Sequence, residues 1–376
     1  MKIKPLMFAA FAGMVTIAAC ESKNSTTSSD STLEAVDTVP AEAASVDSIK
    51  PSGPAPAWAP DIKPQMGAVI EQLASYGDTP IPKLTAVQAR KNHTPTDAVM
   101  ALMEKYKIPV PPANIDTMGK NIPVDGGNIH IRVYTPKSTG PFPIIVYYHG
   151  GGFVIANLDV YDASAKTLAD KTGAVVVSVA YRLAPEHKFP TAHNDAFAAY
   201  KWVVDNAASL KGDPKKIAVA GESAGGNLAV NVAIMARDKG ITKPVHVLAV
   251  YPVAQSDMNT ESYKKYAAAK PLDKPMMEWF VKNYLNSMAE AKDPRINLVA
   301  ANLKGLPSTT IITAQIDPLQ SDGLMLTDKL KAAGISVDSK NYDGVTHEFF
   351  GMGTIVPEAK EANMYAVEQL KKAFGM

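Results

Sequence analysis

Ile217-Ala218-Val219-Ala220-Gly221-Glu222-Ser223-Ala224-Gly225-Gly226 is the stretch that decides the fold. Four apolar residues run straight into Gly-Glu-Ser-Ala-Gly, and a segment of helical character, 226–238, follows. A strand that turns sharply into a helix around a serine holds that serine in a strained backbone with its hydroxyl exposed. Glycines suit positions 221 and 225 because the turn is tight and a neighbouring side chain would clash. The N-terminus of the next helix favours negative charge developing nearby. A bare Gly-x-Ser-x-Gly occurs by chance in many chains. Between a strand and a helix it is far more specific, and it makes Ser223 the candidate nucleophile.

The same grammar extends on both sides. Residues 143–148, 174–180, 217–220, 245–251 and 309–312 are short runs rich in β-branched and apolar residues, as expected of strands buried on both faces. Residues 129–134 alternate as a half-buried strand does, and 335–342 supply the last strand. Helical segments separate them at 163–171, 191–207, 226–238 and 322–333, the last closed by Gly334. Earlier amphipathic helices are expected at 65–76 and 95–106, before a break at Pro109, Pro111 and Pro112. The alternation predicts a single α/β domain: a central, mostly parallel sheet with helices on both faces. Residues 256–300 interrupt it with helical sequence carrying Met276, Met277, Trp279, Phe280 and Tyr284. This insertion and residues 56–115 are expected to form a helical cap, the aromatic and methionine cluster serving as core or lining a pocket.

Directly after the strand 143–148 stands His149-Gly150-Gly151-Gly152-Phe153. Consecutive glycines let backbone N–H groups point into a cavity unobstructed. An acyl-transfer enzyme needs such donors for the oxyanion of its tetrahedral intermediate. The amides of Gly151, Gly152 and Ala224 are the candidate donors.

His149–Phe153, the segment Tyr181-Arg182-Leu183-Ala184-Pro185-Glu186-His187 and Gly-Glu-Ser-Ala-Gly-Gly at 221–226 together resemble the hormone-sensitive-lipase-like branch of the α/β-hydrolase fold. The resemblance covers roughly residues 95–375. It implies an esterase of short acyl chains working through an acyl-enzyme, with no metal or organic cofactor and a small-molecule ester as substrate. Glu222 stands where many members have aspartate. Arg182 and Glu186 are expected to form a buried ion pair behind the site. Other proteins of this fold only bind ligands and lack the catalytic histidine; an exported deacetylase or amidase is a further alternative.

In this fold the triad runs in the order serine, acid, histidine. Only His246 and His347 follow Ser223. His246 opens an apolar strand and leaves no room for an acid before it, so His347, in the loop after the last strand, is the expected base. Asp317, at the end of the strand 309–312 and matching the family motif, is the expected acid. Asp322 is read as a helix N-cap, and Asp343 as a solvated turn residue. His149 is expected to organise its loop, and His93, His130, His187 and His193 form no metal-binding pattern.

The 376 residues carry a formal net charge of +1, which excludes a field able to hold nucleic acid. Lys2 and Lys4 precede an apolar run over 6–19 that ends in small residues, the pattern of a signal peptide over 1–19. Ile17-Ala18-Ala19-Cys20 resembles the lipobox of bacterial lipoproteins, and Cys20 is the chain's single cysteine, with no partner for a disulfide. The expectation is an exported protein, periplasmic or at the cell surface, anchored to a membrane through a lipid on Cys20. Residues 20–55, rich in Ser, Thr, Ala and acidic residues, read as a flexible tether. The globular domain is then expected over 56–376. The sequence does not fix the oligomeric state.

Overall fold

The structure is a computed structural model that describes residues 45–110 and 112–376. The signal segment and the anchor residue Cys20 lie outside the described residues. Among the described residues eight strands form one sheet: β1 (Ile115–Val124), β2 (Gly127–Pro136), β3 (Phe142–Tyr148), β4 (Val175–Ala180), β5 (Gly212–Glu222), β6 (His246–Val250), β7 (Ser308–Ile316) and β8 (Val337–Thr346). Their spatial order is β1-β2-β4-β3-β5-β6-β7-β8. The β1–β2 and β2–β4 pairs are antiparallel, and every pair from β4 to β8 is parallel.

Among the described residues ten α-helices accompany the sheet: α1 (Pro64–Ser75), α2 (Ala86–Ala89), α3 (Pro95–Lys105), α4 (Asp162–Thr172), α5 (Thr191–Asn206), α6 (Ala224–Asp238), α7 (Glu261–Lys265), α8 (Lys274–Tyr284), α9 (Gln320–Ala332) and α10 (Pro357–Phe374). Successive side chains of a strand point to opposite faces, and the core divides accordingly. Ile144, Val146 and Val219 pack with α5, α6 and α9. Ile145, Tyr147 and Ala218 pack on the other face with α1, α3, α4 and α10. Strands buried on both faces carry little polar alternation, which is why their sequences read as nearly continuous apolar runs.

Three sequence expectations need correction here. Residues 45–55, assigned to the tether, belong to the folded unit. Ile49 is fully buried, and the Ser52 amide donates to Glu71 on α1 at 2.7 Å. A single well-placed isoleucine anchors a stretch whose composition is otherwise that of a linker. Asp322 is not an N-cap. Helix α9 starts two residues earlier, after Leu319, so Asp322 falls within its first turn. It is fully buried and accepts from the Ala254 amide (2.9 Å), the Gln255 amide (3.1 Å) and Gln255 Nε2 (2.9 Å). Asp343 lies exposed within β8 rather than in a turn, accepting from Asn341 Nδ2 at 2.7 Å.

Strand β1 and helix α10 were not read from the sequence. In β1 only Ile122 is buried, so no face carries an apolar signal; backbone pairing with β2 through the tight Val124–Gly127 connection defines it.

Candidate active site

Loops at the C-terminal ends of the parallel strands converge on one side of the sheet, where this architecture places ligands. Ser223 caps α6 directly after β5 with φ 56° and ψ −118°. A non-glycine residue held there costs about 1–3 kcal/mol and persists only where its surroundings fix it. They do so: the Ser223 amide donates to the Val250 carbonyl (2.8 Å), and its carbonyl accepts from Val253 (3.2 Å) and Asn227 (3.1 Å). A Cβ at Gly225 would collide with the Tyr148 carbonyl, so strand and helix approach this closely only through glycine.

Asp317 follows β7 and His347 follows β8, adjacent strands in the sheet. His347 Nδ1 lies 2.7 Å from Asp317 Oδ2, with both residues buried. The other Asp317 oxygen accepts from the Leu319 amide at 2.8 Å, which fixes the carboxylate plane. The bond at Nδ1 leaves Nε2 as the acceptor-capable nitrogen. Burial alone would lower the imidazole pKa. The charge and hydrogen bond of Asp317, with the charges of Glu348 and Glu222, outweigh it and raise the pKa above the ordinary value. The Tyr251 ring packs against the imidazole, centroids 4.5 Å apart.

Ser223, His347, Gly151 and Gly152 line a single cavity of about 560 Å³. Gly151 adopts φ 95°, a region that side chains rarely enter, and its carbonyl accepts from the Val154 and Ile155 amides at 3.0 and 2.9 Å. Among the described residues the Gly151, Gly152 and Ala224 amides donate to no protein acceptor. They are three orphan backbone donors grouped around the serine. Tyr181 braces the loop by donating to the His149 carbonyl at 2.8 Å. Burial drives the His149 imidazole down to about 4, so it stays neutral and bonds locally, as the loop-organising reading expects. His246 is likewise a structural group on β6, bonded to Ser308 and Thr310.

The expected Arg182–Glu186 pair does not form. Arg182 instead makes a bidentate pair with buried Asp195 on α5 (2.6 and 2.8 Å). Glu186 pairs with Arg90, whose guanidinium also donates to the Val154 and Ala184 carbonyls. Arg182 finds its fixed partner one helix away, and Arg90, just beyond α2, takes the half-exposed Glu186.

The sequence reading also passed over a carboxylate pair behind the base. Glu222 is buried between the hydroxyls of Tyr147 and Tyr251, and burial, against those two donors, pushes its carboxyl up to about 7. Glu348 lines the cavity and accepts from Tyr161 Oη at 2.7 Å. Its only sequence signal was its place beside His347. Among the described residues no group of three His, Cys, Asp or Glu side chains is gathered as a metal site would be.

A family described as having the α/β hydrolase fold matches residues 145–351. The chain belongs to this family. The carboxylesterase NlhH of Mycobacterium tuberculosis is 39% identical over 251 residues, 65% of this chain and 79% of that protein. The ethyl acetate hydrolase of Pseudomonas putida is 34% identical over 253 residues, 66% of this chain and 80% of that one. Among solved structures, the hyperthermophilic esterase of the archaeon Pyrobaculum calidifontis superposes with a TM-score of 0.76 at 36% identity, covering 83% of this chain and 98% of that chain. The matched segment of the family includes Gly151, Gly152, Ser223, Asp317 and His347.

Proposed function

We propose that this α/β-hydrolase cleaves short-chain carboxylic esters through an acyl-enzyme on Ser223. It is a serine carboxylesterase. The observation that carries the reading is the convergence of a strained serine, a carboxylate-bound imidazole and orphan amide donors on one cavity. Relatives named carboxylesterase and ethyl acetate hydrolase support the reaction class.

His347 Nε2 takes the Ser223 proton as Oγ attacks the ester carbonyl. Asp317 holds the imidazole in the tautomer that leaves Nε2 free and stabilises the imidazolium. The Gly151, Gly152 and Ala224 amides receive the developing oxyanion, each such donor contributing about 3 kcal/mol to the transition state. His347 returns the proton to the leaving alcohol. Water, deprotonated by the same imidazole, then displaces the acid. Segments 70–95 and 270–280 cover the cavity and act as a cap that shapes the acyl and alcohol sides.

The test is hydrolysis of chromogenic esters from acetyl to palmitoyl by wild type and Ser223→Ala. Activity concentrated on short esters and lost with Ser223 supports the proposal. A folded wild type inert to every ester ends it.

The N-terminal sequence supports an exported, membrane-anchored lipoprotein acylated at Cys20. Two or three acyl chains would give stable attachment. Intact mass of detergent-extracted protein decides this: a mass lacking acyl chains on a chain that begins at residue 20 removes the anchor.

A further inference from the structure

The charged groups that line the cavity each hydrogen-bond a partner able to carry the opposite charge, with one exception. Asp78 accepts from the His93 ring at 3.1 Å and from its amide at 2.6 Å. Asp273 pairs with Lys270, and Arg90 with Glu186. Glu348 meets only the neutral hydroxyl of Tyr161 among the described residues, and no lysine or arginine pairs with it there. The cationic group its neighbour can form is the His347 imidazolium, which must be neutral to act as base. The backbone adds a second observation. Glu348 sits at φ 70° and ψ 1°, a conformation in which glycine is unhindered and a glutamate is strained. Strain kept at the wall of an active cavity points to a side chain in use.

We propose that Glu348 selects esters by charge: the cavity takes small esters that carry an ammonium or similar cationic group and turns away anionic ones. The inference rests on the carboxylesterase reading and names its substrate class. An ammonium beside Glu348 finds an uncompensated carboxylate in a partly desolvated wall, where a charge pair acts more strongly than in water. Its arrival also favours the ionised form of a carboxyl that burial otherwise holds toward the neutral one. An anionic ester meets the same carboxylate as a like charge.

The experiment compares kcat/KM for acetylcholine and for its neutral isostere 3,3-dimethylbutyl acetate, in wild type and Glu348→Gln. Glutamine keeps an oxygen for Tyr161 and removes the charge. Both esters use the same base, so their ratio cancels any effect on His347. The wild-type preference for the cationic ester should fall roughly tenfold in Glu348→Gln. An unchanged ratio overturns the proposal. If folded wild type hydrolyses neither ester nor any other, the carboxylesterase reading has failed instead. Calorimetric binding of choline against 3,3-dimethylbutanol then tests charge selection alone, and equal changes for both alcohols in Glu348→Gln overturn it.

Discussion

The floor of the cavity and its cover are built differently. The floor comes from the ends of β3, β5, β7 and β8, neighbours or near neighbours in the parallel part of the sheet, each passing its functional residue within a few positions of the last hydrogen-bonded pair. The cover comes from α1, the segments flanking α2, and α8 in the β6–β7 insertion, none of which pairs with the sheet. Backbone ladders buried on both sides hold the floor in the close geometry that acyl transfer requires. The cover is held by side-chain packing and is free to vary. The reaction is therefore written in the floor and the choice of ester in the cover, and substitutions should separate along that line.

The largest effect belongs to the floor. Asp317→Asn leaves the shape nearly intact but offers His347 Nδ1 an amide in place of a carboxylate, which stabilises the wrong tautomer. On the proposed roles kcat should fall by about 10⁴-fold, measured by stopped or continuous ester assays on folded protein. A loss of less than about tenfold would mean that Asp317 serves packing and that the floor is not the reaction's framework.

Gly152 is where floor and cover touch: a Cβ there would run into the Phe280 ring of α8. Gly152→Ala should displace the loop and misaim an oxyanion donor, lowering kcat by about 10²-fold with a smaller change in KM. Adding Phe280→Ala should restore part of the loss, because it removes the ring the new methyl meets. If the second substitution restores nothing, the strained φ of 59° at residue 152 rather than the contact with the cover limits the rate.

The cover alone gives a milder result. Phe280, Met276 and Met277 present apolar surface to the cavity from one face of α8. Phe280→Leu widens that side by part of a ring. The ratio of kcat/KM for butyryl over acetyl esters should rise several-fold, on the order expected for a methylene's difference in pocket fit. A uniform fall for all esters would place Phe280 in support of the floor and blur the division.

How far each region was legible in the sequence follows the same line. Ser223, His347 and the glycine loop announce themselves because their chemistry needs fixed residue types at fixed distances from strand ends. Asp317 follows once strand order is known. Ion pairs between distant segments were illegible: Arg182 faces Asp195, 13 residues on, rather than Glu186, four residues on. Nothing local distinguishes the two carboxylates; only the packing of α5 does. The buried Ile49 and the hairpin strand β1 escaped for opposite reasons. One is a lone buried apolar residue in polar surroundings, the other an exposed strand in which only Ile122 is buried. The Glu222 and Glu348 pair escaped because carboxylates read as surface until tyrosines from β3, from the loop after β6 and from the turn before α4 are seen to enclose them.

That pair yields the smallest effect and the finest test of the comparison, since Glu348 stands in the cavity wall yet acts on the floor's base. The His347 imidazole must be neutral to accept the Ser223 proton, so kcat/KM for a neutral ester is lost as pH falls through its pKa. Asp317, Glu348 and Glu222 together raise that pKa above the ordinary imidazole value, against burial, so the acid limb should lie above about pH 6.5. Glu348→Gln removes one of the three carboxyl groups that stabilise the imidazolium when ionised. The imidazolium loses stabilisation, its pKa falls, and the limb should move to lower pH. Glu222→Gln should move it in the same direction. A limb that stays in place, or moves upward, would show that the floor sets the base without help from the carboxylates behind it, and the separation of floor from cover would be stricter than this structure implies.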